Sequence, residues 1–521
     1  MTRIATLFFE DYWLVLAELI RQMHDVAGSV TFAGPSARRR TVCARVDALR
    51  AEGIDIAASP WIGDLEREWV AGEFDPAVLA MYADRYGEDT VKRLLICDRE
   101  LAFGYVSGGQ YASTPLRRLV EAEPDRRWQY VCGALRYHER LFADFRPDLV
   151  FVPELTTTYE LAAYHVARRF GVPCHTLAYS RFGSRVLLVD HPSGRTPDID
   201  SLAVRARMER GLIGEEVWAR AAAAFGNLRS VAGAPEYSRL IRDRAYDMTR
   251  WRGFARSMGL AVAKGAAGRL GLGGTRGFLR TRPGTDLVRE AVRRFAVSRR
   301  AFSGRWFADP RAMQDRPYFY FPLHVEPEAS MMVLAPHATN QLALIEDVSK
   351  AMPPGFRLLV KEHIPMLGGR PPGFYERIRA MPDVVLVDPL ADNHVLIRDA
   401  ALVVTVTGTA GWEAIVHHRP VLVFGESQYL GLEAGYHVAS RRPLHDDIAA
   451  AMAVPPVPDE ALLAYIAATL VHSFDIPHST WGYAHYGHDA EAAVAASRPE
   501  IRRLAADLLE RAAASRGIPA A

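Results

Sequence analysis

The segment from Tyr318 to Tyr429 alternates short apolar runs with helical patterns, and this alternation constrains the fold more than any other feature of the 521-residue chain. Apolar runs of strand length lie at 318–321, 331–334, 357–361, 384–387, 402–406 and 421–424. Helical patterns lie between them at 340–351, 372–380, 392–398 and 411–417. Strands that alternate with helices at this spacing predict a parallel sheet with helices on both faces.

The first 190 residues show the same alternation less clearly. Strands are predicted at 4–9, 29–33, 149–152 and 174–178, with helices at 12–23 and 158–169. We therefore predict an α/β fold in which two doubly wound, Rossmann-like parallel-sheet domains face a cleft. The predicted divisions are an N-terminal α/β domain at 1–195, a basic helical insertion or linker at 196–316, a C-terminal α/β domain at 317–480 and a C-terminal helix at 481–521.

Composition restricts the class of protein. Hydrophobic residues make up 49% and charged residues 24% of the chain, which is typical of a soluble globular protein. The four cysteines form no CxxC pair, so neither a zinc site nor a disulfide framework is indicated. The N-terminal apolar run is too short for a signal peptide, and no apolar run has the length of a membrane span. These features favour a cytoplasmic location.

The formal charge of +2 conceals a strongly basic segment. Between Arg239 and Arg316 there are 19 Lys or Arg residues and six Asp or Glu residues. Such a segment predicts an anionic partner, such as a phosphoglycan or lipid headgroups. It lacks the interleaved aromatics of a base-stacking surface, so nucleic acid is not expected. Two interpretations of this segment stay open: peripheral contact with the inner face of the plasma membrane, and a solvated helical face.

The sharpest motif is the sequence from Val403 to Ala414, where an apolar strand leads through Thr-Gly-Thr-Ala-Gly into a helix. A helix N-terminus carries unpaired N–H groups and partial positive charge, which favour a phosphate. The predicted nucleotide-binding residues of this turn are Thr407, Gly408, Thr409 and Gly411. Glu413, in the first helical turn, could accept hydrogen bonds from a ribose diol. An ordinary strand-to-helix turn is the alternative.

Two further strand ends carry polar side chains. Lys361, Glu362 and His363 follow one apolar strand, and His324 follows another. Lys361 and His363 could donate hydrogen bonds to phosphate oxygens. Because the carboxyl ends of parallel strands meet at one sheet edge, we expect these clusters to line one crevice with the Thr-Gly-Thr turn.

These motifs resemble those of the bacterial capsule polysaccharide biosynthesis family. The resemblance rests on Lys-Glu-His-x-Pro at 361–365, Asp388-Pro389, Asn393-His394-Val395-Leu396-Ile397, the Thr-Gly-Thr turn and Arg-Pro-Val-Leu-Val-Phe-Gly at 419–425. In this chain Ile364 stands between His363 and Pro365, where the family often has His-Pro directly. The family includes β-Kdo transferases that use CMP-Kdo.

The resemblance implies a GT-B fold and transfer of a sugar from a nucleotide-activated donor to a surface polysaccharide or glycolipid. Domain 317–480 would bind the nucleotide sugar, and domain 1–195 the acceptor. Lys361 and His363 would contact the donor phosphate, the Thr-Gly-Thr turn would hold the phosphate or nucleotide, and Glu413 would engage the ribose. The resemblance implies neither a metal nor a cofactor.

Glycosyl transfer also requires a group that takes the proton of the acceptor hydroxyl. Glu10, Asp11 and Glu154 follow predicted strands of the N-terminal domain and are the candidates.

Three alternative functions stay open: an epimerase of the UDP-N-acetylglucosamine 2-epimerase type, a teichoic-acid-type glycerophosphotransferase, and a non-catalytic module that binds sugar nucleotides. Release of free nucleotide only when an acceptor is supplied would favour the transferase.

Overall fold

The computed structural model describes residues 1–9, 12–37, 40–106, 114–230, 251–269, 278–301, 306–309, 316–432, 436–437, 443–477 and 490–515. The strands are β1 Thr2–Thr6, β2 Phe8–Phe9, β3 Val30–Ala33, β4 Ser36–Ala37, β5 Asp55–Ala58, β6 Leu149–Phe151, β7 Cys174–Tyr179, β8 Val186–Val189, β9 Tyr318–Pro322, β10 Arg357–Lys361, β11 Val384–Val387, β12 Leu402–Thr405, β13 Val421–Val423, β14 Tyr436–His437 and β15 Ser473–Phe474.

The helices that precede residue 300 span Trp13–Ala27, Thr41–Ala51, Ile62–Trp69, Pro76–Tyr86, Glu88–Ile96, Pro115–Ala122, Arg126–Phe145, Thr158–Arg169, Pro197–Met208, Glu215–Arg229 and Trp251–Arg269, and Gly284–Ala301 ends just after it. The later helices span Ala329–Met332, Gln341–Ala351, Phe374–Arg379, Asn393–Arg398, Thr409–Val416, Leu444–Ala453, Asp459–His472, Ala490–Ala496 and Arg498–Ser515. Short 3-10 turns lie at Arg210–Leu212, Pro336–Ala338, Ile364–Met366 and Gln428–Leu432.

The N-terminal sheet has the strand order β15-β8-β7-β6-β1-β3-β5. Strands β5, β3, β1, β6 and β7 are parallel to one another. Strand β8 pairs antiparallel with β7 on one side and with β15, the edge strand, on the other. The chain proceeds outward from β1 through β3 to β5, and then returns to the other side of β1 through β6 and β7. The order therefore reverses between β1 and β6, and ligands bind outside the strand ends at such a point. The small strands β2 and β4 form a separate parallel pair.

The C-terminal sheet has the order β11-β10-β9-β12-β13-β14, and all of its described pairings are parallel. Here the order reverses between β9 and β12. The strands are apolar along their length because both faces are covered, as in other parallel sheets. Phe319 and Phe321 face one core cluster while Tyr320 faces the other. These two sheets confirm the predicted α/β class and the two doubly wound domains.

Two segments cross between the domains. The helices Pro197–Met208 and Glu215–Arg229 pack against Asp459–His472, and their apolar residues share a core cluster with the C-terminal sheet. In return, β15 joins the N-terminal sheet and the helix Arg498–Ser515 packs on Trp13–Ala27. Each domain is therefore completed by segments that are separated from it in the sequence.

The described part of the basic segment is helical, as expected. The helices Trp251–Arg269 and Gly284–Ala301 pack together, with the rings of Phe254 and Phe295 stacked at 4.4 Å. Residues 270–277, between these two helices, lie outside the described residues. None of the described helices has the length and apolar character needed to cross a bilayer.

The predicted strand at 331–334 is wrong. The structure has the short helix Ala329–Met332 there, with Met331 and Met332 buried in the core. A four-residue apolar run fits a buried strand and a buried helical turn equally well, so periodicity could not separate them. Neither β5, at one edge of the N-terminal sheet, nor β8, between β7 and β15, is predicted from the sequence.

Candidate functional site

The polar strand ends of the C-terminal domain meet where its strand order reverses. Strand β9 lies between β10 and β12, so His324, Lys361 and Thr407 follow three neighbouring strands. The backbone N–H of Leu323 donates to the Lys361 carbonyl at 2.8 Å, and that of Thr407 donates to His324 Nε2 at 3.3 Å. The structure therefore brings the three predicted clusters to one sheet edge, as the strand order requires.

The turn between β12 and the helix Thr409–Val416 is held by four hydrogen bonds. In addition to the bond from Thr407 to His324, the Gly408 N–H donates to Thr405 Oγ1 at 3.1 Å and Tyr429 Oη donates to the Gly408 carbonyl at 3.0 Å. The Thr407 hydroxyl donates to the Ser330 carbonyl at 3.0 Å. That hydroxyl hydrogen is therefore engaged within the protein, and the turn offers a ligand its helix N-terminus instead.

The glycines of the turn are required by close packing. A Cβ at Gly408 would lie 2.8 Å from His324 Nε2, and a Cβ at Gly411 would overlap the hydroxyl of Tyr429. The motif predicts Gly408 and Gly411 as nucleotide-binding residues. The structure gives a more immediate reason for glycine, because His324 and Tyr429 occupy the space that a side chain would need.

His324 supports the turn as a neutral ring. Burial, followed by the nearby His363, Arg370 and Arg181, lowers the pKa of His324 to about 3. Because Nε2 accepts the Thr407 N–H, the ring hydrogen resides on Nδ1, which has no hydrogen-bond partner among the described residues. This geometry gives His324 a positioning role beneath the turn.

Glu362 is the predicted binding residue whose position differs most from expectation. Its carboxylate is buried and accepts two hydrogen bonds from Arg370, at 2.9 Å each, and one from Tyr375 Oη at 2.8 Å. Arg370 also pairs with the buried Glu326 at 2.9 Å and donates to the His324 carbonyl at 2.7 Å. The Glu362 oxygens therefore bind Arg370 and Tyr375 inside the protein, and they stabilise the end of β10.

Lys361 lies on the open side of the same edge. Its Nζ donates to Asn393 Oδ1 at 2.7 Å, and Tyr320 Oη donates to the same oxygen at 2.8 Å. Asn393 is fixed at the start of its helix, which Asp392 caps by accepting the His394 N–H at 2.8 Å. Asn393 thus connects the end of β10 to the helix Asn393–Arg398 and orients Lys361.

Glu413 faces Lys361 and His394 from the helix Thr409–Val416. Its Oε2 lies 3.7 Å from His394 Nδ1, and its side chain is 16% exposed. Burial raises the pKa of Glu413 to about 7, Lys361 opposes this shift, and Asp392 adds to it. Perturbed carboxylates of this kind are concentrated at functional sites.

His363 is exposed and follows Lys361 and Glu362 at the end of β10. The protein that crowds around the cleft lowers the pKa of His363 to about 4 by desolvation, with Glu362 raising it and Lys361 and Arg370 lowering it further. His363 is therefore neutral at physiological pH and can donate one hydrogen bond to an anion.

The N-terminal domain places Glu154 opposite this edge. Glu154 follows β6, at the reversal point of the first sheet, and accepts a hydrogen bond from Tyr12 Oη. In the other domain, burial raises the pKa of Glu328, and the negative charge of Glu154 adds to this rise while Ser330 and Arg99 oppose it. The other two base candidates, Glu10 and Asp11, lie outside the described residues.

Sequence reasoning did not find Arg370 or Tyr429. Arg370 lies in a Gly-Gly-Arg-Pro-Pro loop, and Tyr429 in a 3-10 turn beyond β13. Neither position belongs to a periodic pattern or a strand end, so only the folded chain shows their contacts. The Asn-His pair at 393–394 was noted as a motif but was given no role.

The fold and these strand ends define a two-domain, doubly wound α/β protein with a helix N-terminus at the reversal point of its second sheet. Residues 285–450 match the model of a family described as capsule polysaccharide biosynthesis protein. This match confirms, for that segment, the resemblance that the motifs indicated. Among curated proteins, none matches the chain.

Solved structures with similar architecture include two enzymes from Thermosulfurimonas dismutans. The KpsC β-Kdo 2,7 transferase is 14% identical, with a TM-score of 0.34 over 65% of this chain and 82% of that one. The KpsC β-Kdo 2,4 transferase is 13% identical, with a TM-score of 0.33 over 69% and 89%. A UDP-GlcNAc 2-epimerase from Neisseria meningitidis, bound to UDP-GlcNAc, is 11% identical, with a TM-score of 0.25 over 98% and 99%. Similarity at this level carries no argument about activity.

Proposed function

We propose that the protein is a glycosyltransferase that moves a sugar from a nucleotide-activated donor to a surface polysaccharide or glycolipid. The observation that carries this proposal is the reversal point of the C-terminal sheet. There the N-terminus of the helix Thr409–Val416 lies beside Lys361 and His363, with Glu413 one turn further along. The match of residues 285–450 to the capsule polysaccharide biosynthesis family supports the same class of reaction.

The donor nucleotide lies along this helix in the proposed complex. Its phosphate sits at the first N–H groups of Thr409–Val416, where the helix dipole favours an anion, and Lys361 and His363 contribute donors. Glu413 follows Thr409 by four residues, about 6 Å along the axis, and accepts hydrogen bonds from the ribose. A CMP-linked sugar is the donor that the family resemblance suggests.

The acceptor enters from the N-terminal domain. Glu154 takes the proton of the attacking hydroxyl, with Tyr12 holding one carboxylate oxygen. Glu10 and Asp11 are alternative bases for this step. As the bond between the sugar and the nucleotide breaks, the leaving phosphate gains negative charge, which the helix N-terminus and Lys361 stabilise. That the reaction needs neither a metal nor a cofactor stays a prediction.

The proposed location is the cytoplasm, at the inner face of the plasma membrane. The basic helix Trp251–Arg269, which carries three arginines and a lysine, exposes Leu260 by 50% and Val262 by 58%. Apolar side chains among basic residues favour an anionic bilayer surface.

We expect the protein to co-sediment with phosphatidylglycerol vesicles, and we expect Leu260→Ser and Val262→Ser together to weaken this binding. Val204→Ser, at an equally exposed position on Pro197–Met208, is the matched control. Equal binding of all variants would remove the membrane from the proposal.

A thermal-shift series with CMP, UDP, GDP and their sugars tests the donor site. A nucleotide that binds the native state raises the melting temperature by mass action. We expect one base to be preferred and Glu413→Ala to abolish its shift. No shift with any nucleotide would contradict the proposal. Release of free nucleotide without an acceptor would instead favour an epimerase.

A further inference from the structure

The turn 180–183, at the end of β7 in the N-terminal domain, has a fixed shape. The Ser180 N–H donates to the Arg185 carbonyl at 3.0 Å, and Ser180 Oγ donates to the Phe182 carbonyl at 2.5 Å. Gly183 adopts a φ of 64°, a conformation that glycine enters without strain. Arg181 therefore leaves a rigid turn at the carboxyl edge of its sheet.

This turn is anchored in the opposite domain on both sides of Arg181. The ring of Phe182 is 4% exposed and lies 6.4 Å from the ring of Trp412, inside the core of the C-terminal domain. On the other side, the Gln428 side-chain amide donates to the Tyr179 carbonyl at 3.0 Å. Trp412 lies in the helix Thr409–Val416, and Gln428 directly precedes Tyr429. These two contacts place Arg181 near the start of that helix.

Among the described residues, no carboxylate pairs with the guanidinium of Arg181, and its buried Nε has no hydrogen-bond partner there. The positive charge of Arg181 contributes to the lowered pKa of His324 and opposes the rise in the pKa of Tyr429. These are the two side chains packed against Gly408 and Gly411. A buried guanidinium N–H without a hydrogen-bond partner is costly, and the adjacent helix N-terminus also favours an anion.

We propose that Arg181 is the residue with which the N-terminal domain binds the donor phosphate, so that the phosphate site is complete only when both domains contribute to it. This inference rests on the proposed function. It adds a cation from the acceptor side to a site otherwise built by the C-terminal domain, and it makes the donor phosphate a bridge between the domains.

The test separates phosphate from base and ribose. The dissociation constants of CMP and UDP are measured by calorimetry, and those of cytidine and uridine by ligand-observed NMR, for the wild type and for Arg181→Gln and Arg181→Lys. We expect Arg181→Gln to weaken the preferred nucleotide by 10-fold to 100-fold, which is about 1.4 to 2.7 kcal/mol. The nucleoside should be unaffected, and Arg181→Lys should retain part of the affinity. Arg21→Gln, which removes an arginine paired with Glu52 elsewhere in the domain, is the control.

The outcomes distinguish this inference from the function it rests on. If the wild type binds no nucleotide, the proposed function fails. If the wild type binds and Arg181→Gln binds equally well, the donor site stands and the role of Arg181 is wrong. An equal loss for nucleotide and nucleoside would also overturn the role, because Arg181 would then shape the pocket. In the absence of ligand, Arg181→Gln should melt no lower than the wild type, and a lower melting temperature would show a structural role.

Discussion

Arg370 is a fully buried cation between two buried carboxylates. Glu326 and Glu362 share it, and the surrounding negative charge raises the pKa of Arg370 despite the opposing effect of burial. Replacing one partner of such a pair leaves the others uncompensated in a low-dielectric setting. We therefore expect Arg370→Met to lose about 3–5 kcal/mol of unfolding free energy in urea titrations.

Arg377 provides the matched control for that substitution. It is exposed on the neighbouring helix Phe374–Arg379, so Arg377→Met should change stability by less than about 0.5 kcal/mol. Similar midpoints for the two variants would mean that the buried network does not stabilise the domain.

Glu413 should make stability depend on pH. Its pKa is raised from 4.5 to about 7, so the unfolded chain releases this proton first as the pH rises. The contribution is fully present below pH 4.5 and is lost as the pH passes through about 7, by about 3 kcal/mol. Relative to Glu413→Gln, the wild type should therefore lose stability between pH 5 and 8 in parallel denaturant titrations. Parallel curves for the two proteins would contradict the raised pKa.

At the level of elements, the start of the helix Thr409–Val416 depends on Gly411. A methyl group at this position would overlap Tyr429 and push the helix away from the ends of β9 and β10. Gly411→Ala should thus weaken nucleotide binding at least 10-fold while the domain stays folded by circular dichroism. Binding as tight as in the wild type would show that the turn tolerates the shift.

Gly226→Ala is the matched control, since Gly226 lies in the helix Glu215–Arg229 with open space around it. That change should leave binding unaltered and stabilise the helix by about 0.5–1 kcal/mol.

Elements with a strong local signal were predictable, and those defined by distant contacts were not. The sequence placed β10 and the helix Thr158–Arg169 correctly, because each pairs a clear apolar pattern with clear end signals. Thr157 and Glu160, for example, form a capping box. The wrong strand at 331–334 and the unexpected burial of Glu362 have different causes. A four-residue apolar run fits a strand and a helical turn equally well. The pairing of Glu362 with Arg370 depends on the path of the loop between them, for which the sequence has no periodic pattern.

At the level of the whole molecule, Arg280 fastens the basic segment to the N-terminal domain. It pairs with the buried Glu66 and Asp98, and Tyr130 completes the cluster with a 2.7 Å hydrogen bond to Glu66. Arg280→Met would leave two buried carboxylates without a cation, and should cost about 3–5 kcal/mol in the urea transition. Arg282→Met is the comparison, because Arg282 is 41% exposed and its ion pair with Glu290 should be worth less than about 1 kcal/mol. Equal losses would contradict this anchoring role.

The sequence showed two α/β domains but could not show how the chain is shared between them. Strand β15 has only two residues, and its local sequence does not indicate which of the two sheets it joins. The same holds for the helices Pro197–Met208 and Glu215–Arg229, whose amphipathic faces fit any apolar surface. Which surface they cover is decided by the complete fold.

The return of β15 and the helix Arg498–Ser515 to the N-terminal sheet has a consequence for biosynthesis. The helix covers Trp13–Ala27, and Ser515 Oγ donates to the Asp148 carbonyl at 2.8 Å. Of the two sheets, the N-terminal one is begun earlier in synthesis and completed later, because β15 follows β14 in the chain. The sheet from β9 to β14 is continuous in the chain and can close beforehand. A fragment that ends near residue 195 would keep the pairing of β8 with β7, but it would expose the edge of β8 that β15 covers and leave Trp13–Ala27 without its covering helix. Such a fragment should aggregate, although it contains every other strand of its sheet.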